Sequence, residues 1–147
     1  MAQLPTVHSY DLERFKKAQS PVYDTVLREL AQGRKRSHWM WFIFPQLDGL
    51  GRSETARYYA LSGLDEARAY LADPVLGERL RACCGVLAGL PGHDPHAIFG
   101  APDDMKLHSC LTLFAQAAPG EGIFTQCLQQ YFGGAPDQAT LDLLARG

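Results

Sequence analysis

One stretch of thirteen residues, Arg34–Gln46, constrains the fold more than any other and reads RKRSHWMWFIFPQ. Three basic residues lead directly into a histidine, both tryptophans of the chain and four further large apolar residues. Because the apolar residues are almost continuous, hydrophobic periodicity does not separate helix from strand. A lone strand would lack a partner, since no alternating β-branched segment occurs elsewhere. We therefore expect the central buried helix of the fold here, beginning near Ser37 and ending before Pro45.

Helix start and stop signals divide the remaining chain into short segments. Ser20, Asp73 and Asp94 each precede a proline, which places a capping residue before a proline at the first helical position. Besides the central helix, we predict helices near residues 11–19, 21–32, 53–61, 63–72, 74–90, 102–117, 121–132 and 136–145. This pattern predicts an all-α fold, a compact multihelical single domain over residues 1–147 with about eight short helices. Residues 1–9 are expected to form a loose arm.

The composition narrows the class of protein. With 46% hydrophobic and 20% charged residues, the chain of 147 residues is typical of a globular domain. No apolar run approaches the ~20 residues of a membrane span, and Met1–Tyr10 do not show the basic-then-apolar pattern expected of a secretory signal. The net charge of −2 disfavours nucleic acid as a partner. We expect a cytoplasmic protein without membrane association.

The four cysteines contain no CxxC pair and match no spacing of zinc ligands. We predict that they are reduced and mostly buried thiols, and that the protein has no metal site and no cofactor. The residues concerned are Cys83, Cys84, Cys110 and Cys127.

A second motif, Phe99–Leu107, accompanies the central stretch, with shorter motifs such as Leu111–Phe114 and Tyr131–Gly134. Through these motifs, over nearly its whole length, the chain resembles the DUF1810 family. Cys110 is a mild departure, because the family usually has a small residue there. The resemblance implies a compact, mostly helical, intracellular fold of bacterial type, and it implies no activity. Some members carry the name calpastatin, but nothing in this sequence supports protease inhibition.

Lys35 and His38 lie three residues apart at the expected start of the central helix. If this helix begins at Ser37, its free N–H groups and the neighbouring cations meet at one end, an arrangement that holds a phosphate or carboxylate. Trp41 offers a ring for stacking, and Gln46 could either read an amide or base edge or brace the next loop. Alternatively, the basic residues are simply solvated and His38 bonds a carbonyl group in the core.

Polar residues also cluster at the start of the helix predicted over residues 102–117. Asp103 and Asp104 either cap this helix, where its dipole favours acids, or pair with Lys35 or His38, which would place a proton donor and acceptor in one cleft. Lys106 and Ser109 form an i,i+3 stripe that is either the wet face of the helix or a wall of that cleft. The candidate site therefore consists of His38 and Asp104 as catalytic residues and of Lys35, Trp41, Gln46, Lys106 and Ser109 as ligand-binding residues.

The sequence identifies no reaction. No serine or cysteine shows the setting of an activated nucleophile, and His93 and His96 flank Pro95 in a loop, which disfavours a metal site. We expect the protein to bind, or act on, an anionic small molecule that is phosphate- or nucleotide-like. The alternative is a non-enzymatic module whose basic–aromatic stretch contacts a protein or nucleic acid. A third possibility is that this stretch serves only as the folding core.

Overall fold

A computed structural model describes residues 10–146, which form ten α-helices and no β-strand. The all-α prediction is confirmed, while the arm expected over residues 1–9 lies outside the described part of the chain. The helices are α1 (Glu13–Gln19), α2 (Tyr23–Ala31), α3 (Met40–Ile43), α4 (Glu54–Tyr58), α5 (Leu64–Ala72), α6 (Leu76–Gly89), α7 (Pro95–Phe99), α8 (Asp103–Ala117), α9 (Gly122–Phe132) and α10 (Gln138–Arg146).

The core is built around α8, which packs against α5, α7, α9 and α10. Both polar and apolar side chains of α8 are buried, among them Ser109 and Thr112 beside Leu107, Leu111 and Phe114. The aromatic rings of Tyr70, Phe114 and Phe124 continue the core from α5 through α8 to α9. A helix covered by four neighbours buries more than one stripe, which explains why α8 lacks a clear polar face.

Of the three capping residues predicted before a proline, Asp73 and Asp94 are confirmed. The carboxylate of Asp94 accepts from two N–H groups of α7, and that of Asp73 accepts from two N–H groups at the start of α6. The cap predicted at Ser20 is wrong, because its hydroxyl donates back to the carbonyl oxygen of Lys16 and α2 begins only at Tyr23. Ser20 thus closes α1 instead of opening α2.

The central helix is shorter than expected. It comprises four residues, Met40–Ile43, and Trp39 rather than Ser37 occupies the position before it. Trp39 is buried and Trp41 is half-buried. The residues from Arg34 to Trp39 instead run as irregular chain past the ends of α2 and α7, toward the start of α8.

The four cysteines are buried free thiols, as predicted. Within residues 10–146, no helix is both long and apolar enough to cross a membrane.

Candidate functional site

The basic stretch before α3 has an outer and an inner face. Arg34, Arg36 and His38 are exposed, whereas Lys35 and Ser37 between them are half-buried and Trp39 is buried. The exposed and the less exposed side chains thus alternate along this irregular stretch, which bends at Ser37 and His38. The inner and outer residues therefore meet different surroundings.

Glu29 of α2 holds the inner face in place. Its carboxylate accepts hydrogen bonds from the backbone N–H groups of Arg36 (2.8 Å) and Ser37 (3.1 Å). It also accepts from the Ser37 hydroxyl (2.7 Å) and from the indole N–H of Trp39 (2.9 Å). Burial alone would raise the pKa of Glu29, but these hydrogen bonds favour the charged form and lower the pKa to about 2. Ser37 is thus bound to Glu29, and Trp39 rather than Ser37 precedes the first residue of α3.

The ammonium group of Lys35 is enclosed on the same inner face. It lies 2.9 Å from a carboxylate oxygen of Asp103 at the start of α8, and it donates to the carbonyl oxygen of Ser37 (2.6 Å). It also lies 5.0 Å from the ring centroid of Trp39. Only 8% of the Lys35 side chain is exposed, so this is a largely desolvated ion pair.

The second oxygen of Asp103 faces another lysine. Lys106 places its ammonium 3.5 Å from that oxygen and 5.0 Å from the ring centroid of Trp41. One carboxylate thus lies between two ammonium groups, each of which stands over an indole ring. We call Lys35, Trp39, Trp41, Asp103 and Lys106 the lysine–indole cluster. With two lysines and one aspartate, the cluster keeps one positive charge that is not neutralised within it.

The two residues predicted to be catalytic are not brought together. His38 is exposed, and its side chain makes no hydrogen bond or ion pair with the described residues. Asp104 contacts His96 instead, with 3.3 Å between its carboxylate and Nδ1, and its other oxygen accepts from the N–H of Met105. Of the pairings considered from the sequence, Asp103 with Lys35 is the one that forms. Asp104 follows Asp103 by about 100° around the helix and so points toward α7.

Ser109 and Gln46 contribute differently from what the sequence suggests. Ser109 is buried, and its hydroxyl lies within hydrogen-bond distance of the carbonyl oxygen of Met105 (3.1 Å) and of the carboxylate of Asp137 (3.1 Å). This hydroxyl therefore joins α8 to the start of α10. The backbone carbonyl of Gln46 accepts from Leu61 N–H (2.9 Å), while its half-buried side chain makes no hydrogen bond with the part of the chain that is described.

The cluster lies apart from three surface cavities, of about 430, 610 and 380 Å³. The first lies beside α5 and α10, and the other two lie on either side of the turn at Pro91–His93. None of the three is lined by a residue of the cluster. Between residues 10 and 146, no three His, Cys, Asp or Glu side chains are placed to hold a metal ion.

Glu29 organises this region and was not among the residues predicted from the sequence. Its position did contain a signal, since it lies between Val26 and Leu30 on the buried side of α2. A glutamate placed there must have hydrogen-bond partners, because an unpaired buried carboxylate is costly.

The sequence model of a family described as a protein of unknown function, DUF1810, matches residues 9–144. The chain belongs to the DUF1810 family. This match confirms the resemblance seen in the central stretch and in the motif at the start of α8. No curated protein matches the chain.

The fold of this DUF1810 protein is similar to the crystal structure of the conserved hypothetical protein Rv1873 from Mycobacterium tuberculosis. The two chains are 51% identical, with a TM-score of 0.90, and the likeness covers 92% of this chain and 97% of the other. Because the relative is also described as hypothetical, these comparisons establish the family and the fold but indicate no activity.

Proposed function

We propose that the protein binds an anionic small molecule, phosphate- or nucleotide-like, at the lysine–indole cluster. The observation that supports this most is the single carboxylate of Asp103 between two ammonium groups, Lys35 and Lys106. One positive charge remains in a partly desolvated place, where a charge interacts more strongly than in bulk water. A bound anion would complete the set of charges.

The residues of the cluster differ in how they would serve such a ligand. Lys106 has 22% of its side chain exposed, against 8% for Lys35, and is the one that can reach an anion directly. Lys35 acts as a positioning residue, because it fixes Asp103. The half-buried ring of Trp41 would stack on a planar part of the ligand. His38 and Gln46 have side chains without hydrogen bonds to the described residues and remain candidates for its edge.

Two substitutions with opposite effects test this proposal. Lys106→Ala removes the unneutralised charge, and we expect it to weaken binding of AMP about tenfold, the usual effect of losing one charge-assisted hydrogen bond. Asp103→Asn leaves both lysines without a counter-charge, and we expect it to tighten binding severalfold while lowering the melting temperature. Titration by tryptophan fluorescence and by calorimetry would measure both.

Lys17 is exposed and serves as the matched control, so Lys17→Ala should leave AMP binding unchanged. The proposal is wrong if Lys106→Ala, correctly folded by circular dichroism, binds AMP as the parent does. It is also wrong if the parent protein binds no anionic small molecule in a screen of nucleotides, sugar phosphates and dicarboxylates.

We further propose that the protein acts in the cytoplasm of a bacterium. Four cysteines without disulfides suit a reducing compartment, and the structural relative is bacterial.

A further inference from the structure

The outer face of the basic stretch carries three exposed basic side chains. We call Arg34, Arg36 and His38 the basic ridge. All three are exposed, and their side chains make no hydrogen bond or ion pair with residues 10–146. Lys35 lies between the two arginines and is fully engaged with Asp103 and Ser37. Among the described residues, the inner lysine is thus paired while the side chains of the two outer arginines are not.

The backbone beneath the ridge is held from two sides. The N–H of Arg34 donates to the carbonyl oxygen of Glu29 (3.0 Å), and the N–H of Lys35 donates to that of Ile98 (2.8 Å). The N–H groups of Arg36 and Ser37 donate to the Glu29 carboxylate. A ligand that binds the ridge would therefore need to order only side chains, which lowers the entropic cost of binding.

The spacing of the ridge selects its ligand. Its members are two residues apart, so neighbouring Cα atoms are separated by about 7 Å at most and the whole ridge spans no more than about 14 Å. A single phosphate group would reach one or two of these side chains. Several phosphate groups in series would reach all three, and each arginine can hold a phosphate by two parallel hydrogen bonds.

We propose that the basic ridge binds a ligand with phosphate groups in series, such as a nucleoside polyphosphate or a short phosphodiester strand. The ridge deepens the proposed function and rests on it in one respect: a single ligand would place one phosphate beside Lys106 and its further phosphates along the ridge. The ridge adds a preference for ligands with more than one phosphate. Both kinds of ligand would be recognised through their phosphate groups, which the guanidinium groups on the outer face would bind.

The number of phosphates provides the test. With AMP, ADP, ATP and inorganic tripolyphosphate as probes, we expect affinity to rise with each phosphate, by about tenfold or more from AMP to ATP. The double variant Arg34→Ala/Arg36→Ala should reduce this ratio to near one and weaken tripolyphosphate binding by a similar factor. Arg52→Ala, another exposed arginine, is the matched control and should leave the ratio unchanged.

Lys106→Ala separates the ridge from the proposed function. We expect it to weaken AMP and ATP by the same factor and so to preserve their ratio. If Lys106→Ala has no effect but the double arginine variant lowers the ratio, the cluster proposal fails and the ridge stands. The ridge is overturned if AMP and ATP bind equally, if the double variant keeps the parent ratio, or if hexaglutamate binds as tightly as tripolyphosphate.

Single-stranded oligouridylate of eight nucleotides distinguishes the two ligand sources. If the strand binds more tightly than ATP, its salt dependence should correspond to about three phosphate contacts, from Arg34, Arg36 and Lys106, which gives a slope of about −2 in log affinity against log salt. The double variant should reduce that slope to about a third. If ATP binds more tightly, the source is a small molecule. Failure of both to bind would overturn the ridge.

Discussion

At the scale of single residues, Glu29 shows how a buried carboxylate can be satisfied without a cation. Its four hydrogen-bond donors are two backbone N–H groups, one hydroxyl and one indole. Such neutral donors stabilise the charged form, and Glu29 therefore does not use the side chain of a nearby arginine as a partner. This choice of partners explains why the outer face of the stretch stays positively charged.

We predict that Glu29→Gln lowers the free energy of unfolding by about 2–4 kcal/mol at pH 7, because an amide cannot accept from all four donors. The pKa of Glu29 is about 2 in the folded protein, below its usual value of 4.5. The stabilisation by its charge is therefore complete above pH 4.5 and is lost as the pH falls toward 2. Urea unfolding of parent and variant at pH 7, 4 and 3 should show the difference shrinking.

Glu54→Gln serves as the control for this titration, since Glu54 is exposed in the first turn of α4. Its effect should stay within about 0.5 kcal/mol at each pH. A difference between parent and Glu29→Gln that is constant from pH 7 to pH 3 would contradict the role assigned to the Glu29 carboxylate.

The residues of the cluster could be predicted in part. The motif at the start of α8 suggested that Asp103 or Asp104 meets the basic stretch, and the structure selects Asp103. The choice between them depends on how α8 is rotated about its axis relative to the basic stretch, and the local sequence does not determine this rotation. Glu29 was missed because its donors are seven to ten residues away and two of them are backbone groups.

At the scale of elements, α3 and α10 show opposite outcomes of local sequence signals. The apolar run from His38 to Phe44 predicted a helix beginning near Ser37, but Glu29 holds Ser37 outside the helix and four residues remain. The last helix was predicted over residues 136–145 and is found at Gln138–Arg146. A local pattern is reliable where no distant side chain competes for the backbone.

The start of α10 depends on Asp137. Its carboxylate accepts from the Ser109 hydroxyl (3.1 Å) and from the N–H and hydroxyl of Thr140, and its own N–H donates to Thr112 (2.8 Å). We predict that Asp137→Ala lowers stability by about 2 kcal/mol. The amides of α10 should then exchange with deuterium faster than those of α8, as measured by mass spectrometry.

Asp142→Ala in the same helix is the control, since that exposed carboxylate accepts from Gln138 within α10 itself. It should change the exchange of α10 little. If Asp137→Ala accelerates exchange equally in α8 and α10, Asp137 stabilises the whole fold rather than the docking of one helix.

At the scale of the whole molecule, the four thiols report on the integrity of the core. Cys83 and Cys84 belong to α6, Cys110 to α8 and Cys127 to α9, and all are buried. Burial raises the pKa of Cys83 to about 12, which keeps it as an unreactive thiol at neutral pH. The apolar stripes of these helices were readable from the sequence. That α8 lies at their centre was not, because it depends on contacts between distant segments.

We predict that the native protein does not react with an aromatic disulfide reagent at pH 8 within minutes, and that four thiols react in denaturant. The variant Gln116→Cys places a fifth thiol on the exposed side of α8 and should react at once, with a stoichiometry of one. Rapid labelling of the native parent protein would show that the helices open far more often than this packing implies.

The alternation of outer and inner side chains between Arg34 and Trp39 makes this segment tolerant of substitution but intolerant of changes in length. Positions 34, 36 and 38 face water, so a library of variants should retain the fold with many different side chains there. Deleting any one residue would turn exposed positions into buried ones, and buried positions into exposed ones, on one side of the deletion. It would bring an arginine to Asp103 or move the Trp39 indole away from Glu29. Homologous chains should therefore keep the number of residues between the end of α2 and the Trp39 indole fixed.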